Sequence, residues 1–242
     1  MPANGLLYAP PHSCACNIKT MVRGTYAFAS SSSERTTAET TDTRLEKGPA
    51  FGSVSLSAAG DSSVNDWLTY RHDNRRSGRT AASVPGNLSR TWKAAIGGRL
   101  SSPVAGFGKL LVAEVDAHTV HALNMADGES LWSFTAGGRI DSPPTIHRGL
   151  ILFGSADGWV YCLREADGAL VWRFRGAPEA RLISVRGQIE STWPIHGSVL
   201  VHDGVLIAAA GRSSYLDGGI RVHRLAPETG ELLSETLIHS LD

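Results

Sequence analysis

Three tryptophans, Trp92, Trp132 and Trp172, stand forty residues apart, and the sequence around them repeats with the same period. Trp92 leads into Gly97-Gly98-Arg99-Leu100 and Trp132 into Gly137-Gly138-Arg139-Ile140, with Pro103 and Pro143 following at the same interval. His121-Ala122-Leu123 recurs as Tyr161-Cys162-Leu163, and Asp127-Gly128 as Asp167-Gly168. A period of roughly 20–50 residues marks a repeat architecture, in which no unit can bury its apolar face alone and neighbours must stack.

The second unit shows what is stacked. Residues 142–146 read as a first strand, 150–154 as a second rich in β-branched and aromatic side chains, and 159–163 and 170–174 as the third and fourth. Glycine-bearing turns at 147–149, 156–158 and 167–168 join them, since glycine supplies the positive φ of tight hairpins. Four strands per unit with no helical period between them is the pattern of a propeller blade. The fold expected is therefore all-β: a β-propeller arc of about four four-stranded blades in an incomplete ring.

A third unit from His196 onward keeps the plan and loosens it. Gly128 to Gly168 is 40 residues, whereas Gly168 to Gly230 is 62, so 22 extra residues enter, placed in the 175–195 connection and the 211–219 hairpin. The tryptophan is replaced here, because Gly230 is followed by Glu231-Leu232-Leu233-Ser234. Upstream, residues 6–10 and 25–28 resemble two middle strands, and 29–43 is too rich in Ser, Thr and Glu to bury. The division expected is a partial blade with a Cys-x-Cys loop over 1–28, a flexible linker over 29–65 and propeller repeats over 66–242. An unfinished ring leaves sheet edges with unpaired backbone groups, so self-association through them is expected.

The segment Ala122 to Trp132, repeated as Cys162 to Trp172, resembles the tryptophan-docking motif of the PQQ-like β-propeller repeat family, the relatives of quinoprotein alcohol dehydrogenases. The chain departs from that pattern at Asn124 and Arg164, where the family usually has Asp, and at Cys162, where it has Ala. Residues 67–78, with Trp67, Tyr70, Arg71, Asp73, Arg76 and Gly78, resemble the lead-in with which many such propellers begin. The resemblance implies a periplasmic or extracellular setting. A working quinoprotein dehydrogenase would, by the same resemblance, carry PQQ, calcium, an Asp base and often a vicinal Cys-Cys ring. No two cysteines are adjacent here, and the acids fall mostly in turns, where Asp serves local hydrogen bonds. Neither PQQ nor calcium is expected in this chain.

Composition removes other classes. Lys plus Arg and Asp plus Glu both number 23, and no basic helix appears, so nucleic acid is not an expected partner. The longest apolar stretch, 205–210, falls far short of the roughly 20 residues of a membrane helix, so no transmembrane segment is expected. No signal peptide is legible at the N-terminus. His12, Cys14 and Cys16 could ligate zinc or copper, or form a loop with free or externally paired thiols. The remaining candidates lie in the third unit's insertions, because loops on a rigid scaffold carry function. Arg186, Gln188, Glu190, Trp193 and His196 come from one insertion, and Arg212, Ser213, Tyr215 and Asp217 from the other. Connections entering first strands and hairpins leaving second strands lie at the same end of a blade, so these groups can converge. They suit either a small anion or peptide carboxylate, or a structural salt-bridge cluster. The function read from the sequence is a non-catalytic binding or scaffolding module within a larger protein. The alternative is part of a quinoprotein dehydrogenase or other enzyme whose active site lies outside the chain.

Overall fold

Each repeat folds because a four-stranded antiparallel sheet presents two apolar faces and can bury neither without a neighbour. The computed structural model describes residues 2–3, 6–11, 25–28, 44–56, 63 and 65–240. The first blade is β5 (Val104–Gly106), β6 (Lys109–Glu114), β7 (Thr119–Asn124) and β8 (Ser130–Thr135). The second is β9 (Thr145–His147), β10 (Leu150–Gly154), β11 (Trp159–Arg164) and β12 (Leu170–Arg175). The third is β15 (Leu200–His202), β16 (Val205–Ala210), β17 (Ile220–Leu225) and β18 (Leu232–Ile238). All strand neighbours within the blades are antiparallel, and none of these sheets closes on itself. The chain is all-β, an incomplete propeller arc.

The tryptophans hold the arc together, and each reaches forward to the next blade. The Trp92 indole N–H donates to the Met125 carbonyl at 2.9 Å, that of Trp132 to Glu165 at 3.1 Å, and that of Trp172 to Pro227 at 3.0 Å. Each acceptor precedes a turn glycine by three residues, and a Cβ on Gly128, Gly168 or Gly230 would stand 2.5–2.6 Å from the docked ring. Those glycines also hold φ of +78°, +72° and +71°, which other residues rarely adopt. Position and conformation together admit glycine alone. Trp132 and Trp172 are 9% and 0% exposed. A buried indole removes about 150–250 Å² from water, worth roughly 4–6 kcal/mol at about 25 cal/mol per Å², against about 1 kcal/mol for the N–H bond. Ring burial dominates. Ion pairs repeat alongside: Lys109 to Glu165 at 2.6 Å and Arg148 to Glu228 at 3.4 Å join consecutive blades at the same hairpins.

The structure corrects three details of the sequence reading. The first strand of the second blade is β9, later than the expected 142–146, because Pro143 and Pro144 carry no N–H for a ladder. Within the stretch read as a linker, β4 (Leu45–Lys47) is a fifth strand on the second blade, pairing Leu45 with Phe174 and Lys47 with Trp172. The free edge of β12 offers it unpaired backbone groups, and Arg44 anchors it by donating to the carbonyls of Arg175 and Gly176 and to Glu235 of β18 at 2.7 Å. The N-terminal strands β1 (Pro2–Ala3), β2 (Leu6–Ala9) and β3 (Tyr26–Phe28) form one sheet. That sheet extends no blade: Thr25 bridges Ser184 of β13 (Leu182–Val185), which with β14 (Gln188–Ser191) makes a hairpin inside the 175–195 insertion.

Truncating a docked indole should therefore act as a core deletion. Trp132→Ala and Trp172→Ala are each expected to lower unfolding free energy by about 3–5 kcal/mol, with Trp132→Phe costing less. Denaturant midpoints that move by the equivalent of less than about 1 kcal/mol would refute the docking role.

Candidate functional site

Chain direction brings the two insertions together. In each blade the segment entering the first strand pairs with the end of the second strand: Val115 N–H with Arg99 O at 2.8 Å, Ala156 with Arg139 O at 2.8 Å, and Gly211 with Pro194 O at 3.0 Å. Side chains from these segments and from the hairpins beyond them thus share one end of the arc. Glu190 is fully buried there, with Oε1 2.8 Å from the Arg139 guanidinium and Oε2 2.5 Å from that of Arg212. Arg212 also donates to the Ser191 carbonyl at 3.3 Å.

The pairing extends over all three blades. Asp141 lies 2.7 Å from His196 Nδ1, 3.5 Å from Arg139 and 3.8 Å from Arg99, and Arg99 meets Asp116 at 3.3 Å. The His196 hydrogen bond, then Arg139 beyond it, holds the Asp141 carboxyl below its ordinary pKa. Asp217 accepts from Arg181 at 2.7 Å, and its backbone carbonyl accepts the Trp193 indole N–H at 2.8 Å. Burial pushes the Asp217 carboxyl up despite Arg181 and Arg212 nearby. The Arg181 guanidinium stacks on Trp193, 4.7 Å from its ring centre.

Of the residues singled out from sequence, Glu190 and Arg212 meet directly, and Asp217 lies close enough to Arg212 to feel its charge. His196 joins through Asp141 and Arg139. Tyr215 sits half-buried in the same loop, its amide bonded to the Ser213 hydroxyl at 3.2 Å. Arg186 is exposed at the tip of the β13–β14 hairpin and enters none of these ion pairs. Gln188 reaches the first blade instead, bonding His118 at 3.0 Å. His12, Cys14 and Cys16 lie outside the described residues, and among the described ones no group of three His, Cys, Asp or Glu could hold a metal. Cys162 is buried in β11, and burial raises its thiol pKa.

Arg99, Arg139 and Asp141 were missed in the sequence, although Arg99 and Arg139 are the same position of the forty-residue repeat. Also missed was the way the lead-in packs. Trp67 exchanges backbone hydrogen bonds with Ala105 of β5, Leu68 O accepts from Ile146 of β9, and Arg76 donates to Val199 O just ahead of β15. One short segment thereby ties the innermost strands of three blades. A pocket of about 650 Å³ opens on one side of it, bordered by His72, Arg75, Thr145, His147 and Asp203. Another, of about 350 Å³, is bordered by Trp67, Tyr70, Arg71, Pro103, Val104 and Leu110.

A family model described as outer membrane protein assembly factor BamB matches residues 73–241. The chain belongs to this PQQ-like β-propeller family. Among solved structures, the PQQ-like arc is similar to a quinohemoprotein alcohol dehydrogenase of Pseudomonas putida HK5, with a TM-score of 0.60 and 15% identity over 72% of this chain and 27% of that one. The corresponding enzyme of Comamonas testosteroni gives 0.56 and 19% identity over 71% and 27%. A europium-containing methanol dehydrogenase gives 0.52 and 14% over 72% and 32%. At these identities the likeness is one of fold, and this PQQ-like chain spans about a quarter to a third of the length of those enzymes. No curated protein matches it in sequence.

Removing the carboxylate shared by two arginines should test the ion-pair cluster. Glu190→Ala is expected to destabilise by about 3–5 kcal/mol, as when one partner of a buried pair is removed. Arg212→Ala should cost less, because Arg139 still faces the carboxylate. A loss under about 1 kcal/mol for Glu190→Ala would show the cluster to be dispensable.

Proposed function

We propose that this chain is a segment of a longer PQQ-like propeller protein and serves as a non-catalytic binding or scaffolding module. The observation that carries the reading is the state of the carboxylates at the end of the arc where the insertions converge. Asp116, Asp141, Glu190 and Asp217 are each held by arginine at 2.5–3.8 Å. A calcium ion needs about 6–8 oxygen ligands, and carboxylates already neutralised by guanidinium groups are poor ones. With no adjacent cysteines in the sequence, the residues present do not fit PQQ with calcium. The same arginines stiffen long loops and join neighbouring blades, which suits a rigid platform. A periplasmic or extracellular location belongs to the proposal through the family, whose model describes an outer-membrane assembly factor.

The test is direct. With PQQ and calcium added, dye-linked oxidation of simple alcohols by the chain should show no turnover above the protein-free control. Saturable activity abolished by a chelator would overturn the reading.

A further inference from the structure

The smaller pocket has the make-up of a recognition site. Val104, Leu110, Pro103 and Trp67 give it apolar walls, Tyr70 stands at its rim 41% exposed, and Arg71 contributes the one cation. Its volume of about 350 Å³ is at the small end of ligand pockets. Arg71 and His72 hold φ of +56° and +78°, a region that non-glycine residues avoid and that clusters at ligand clamps. Glycine would take either position without strain, as Gly78 does at +66°. The sequence nevertheless places an arginine there, its guanidinium lying over Gly78 and in no ion pair among the described residues.

The segment that runs on from the pocket is equally one-sided in charge. Between residues 71 and 93 stand Arg71, Arg75, Arg76, Arg79, Arg90 and Lys93 against a single acid, Asp73, in a chain whose formal charge is zero. Asp73 is engaged by its own turn, accepting from the amide and hydroxyl of Ser77. Arg76 is spent on Thr69, Tyr70 O and Val199 O. The other five cations are exposed.

We infer that this surface binds an acidic peptide segment, seating one of its apolar side chains in the Trp67–Val104–Leu110 pocket with a flanking carboxylate on Arg71. The inference rests on the module reading and names the kind of partner. A pocket of this size accommodates an apolar side chain, while Arg71, with the exposed Arg79 that follows the Gly78 it covers, offers more positive charge than a single carboxylate can neutralise. A peptide bearing several acids around one apolar residue meets both conditions.

Fluorescence anisotropy of a labelled peptide with one phenylalanine between paired acidic residues provides the test, run on the full chain. Binding is expected, and it should be lost when glycine replaces the phenylalanine or glutamine the acids. Arg71→Gln should weaken it roughly fivefold or more, the loss of a charge-assisted contact, and Tyr70→Ala should weaken it too. Both variants should keep the parent melting temperature, since both residues are exposed. Arg186→Gln, an exposed cation elsewhere, should change nothing. Independently of any variant, the peptide should shift the Trp67 indole N–H resonance. Absence of peptide binding, an unmoved Trp67 signal, or equal affinity for single-stranded oligonucleotide would overturn the inference. None of these results would bear on quinone turnover, so the module reading stands or falls separately.

Discussion

Everything in this arc depends on an indole from one blade resting on the turn glycine of the next. The interaction needs three things at fixed places: an outer-strand tryptophan, a glycine with positive φ, and a carbonyl three residues before it. Because those parts come from consecutive units, what each repeat must keep is the docking contact, whatever the length of chain between its parts. The third unit makes the point. The separation between indole donor and carbonyl acceptor rises from 33 residues at Trp132 to 55 at Trp172, yet the hydrogen-bond length and the glycine contact hardly change. Inserted chain was accommodated in loops, and the blade interface was left alone.

The inserted loops then created an electrostatic requirement of their own. Glu190 is fully buried by the hairpin that carries it, and an unpaired carboxylate there would be severely penalised. Arg139 from the second blade and Arg212 from the third supply the countercharge. Buried ion pairs add little net stability, but they penalise every arrangement that separates the partners. Here that fixes the register of both insertions against the second blade. Two open pockets lie instead along the lead-in segment across the innermost strands.

What could be read from the sequence follows from the same logic. Strands β10, β11 and β12 fell within a residue of their expected limits, because hairpin turns and alternating burial are local properties. The convergence of Glu190 with Arg212 was legible too, since strand connectivity alone puts them at one end. Arg139 was not recognised as their third member, although its repeat mate Arg99 marked the position. Leu45-Glu46-Lys47 could not be assigned, for three residues carry no register and their partner is a distant free edge. The N-terminal sheet found its neighbour for the same reason, through a single bridge at Ser184. The lead-in's packing was hidden because its bonds to the blades end largely on backbone groups, which carry no sequence signal.

The docking claim is tested most directly by hydrogen exchange at the indole nitrogens, followed residue by residue by NMR. With the Trp132 and Trp172 N–H groups bonded across the blade interface beneath buried rings, both should exchange only through global unfolding, at the protection of the slowest core amides of β10 and β11. Exchange of either indole at the rate of a solvent-exposed tryptophan, while those strands remain protected, would contradict the account.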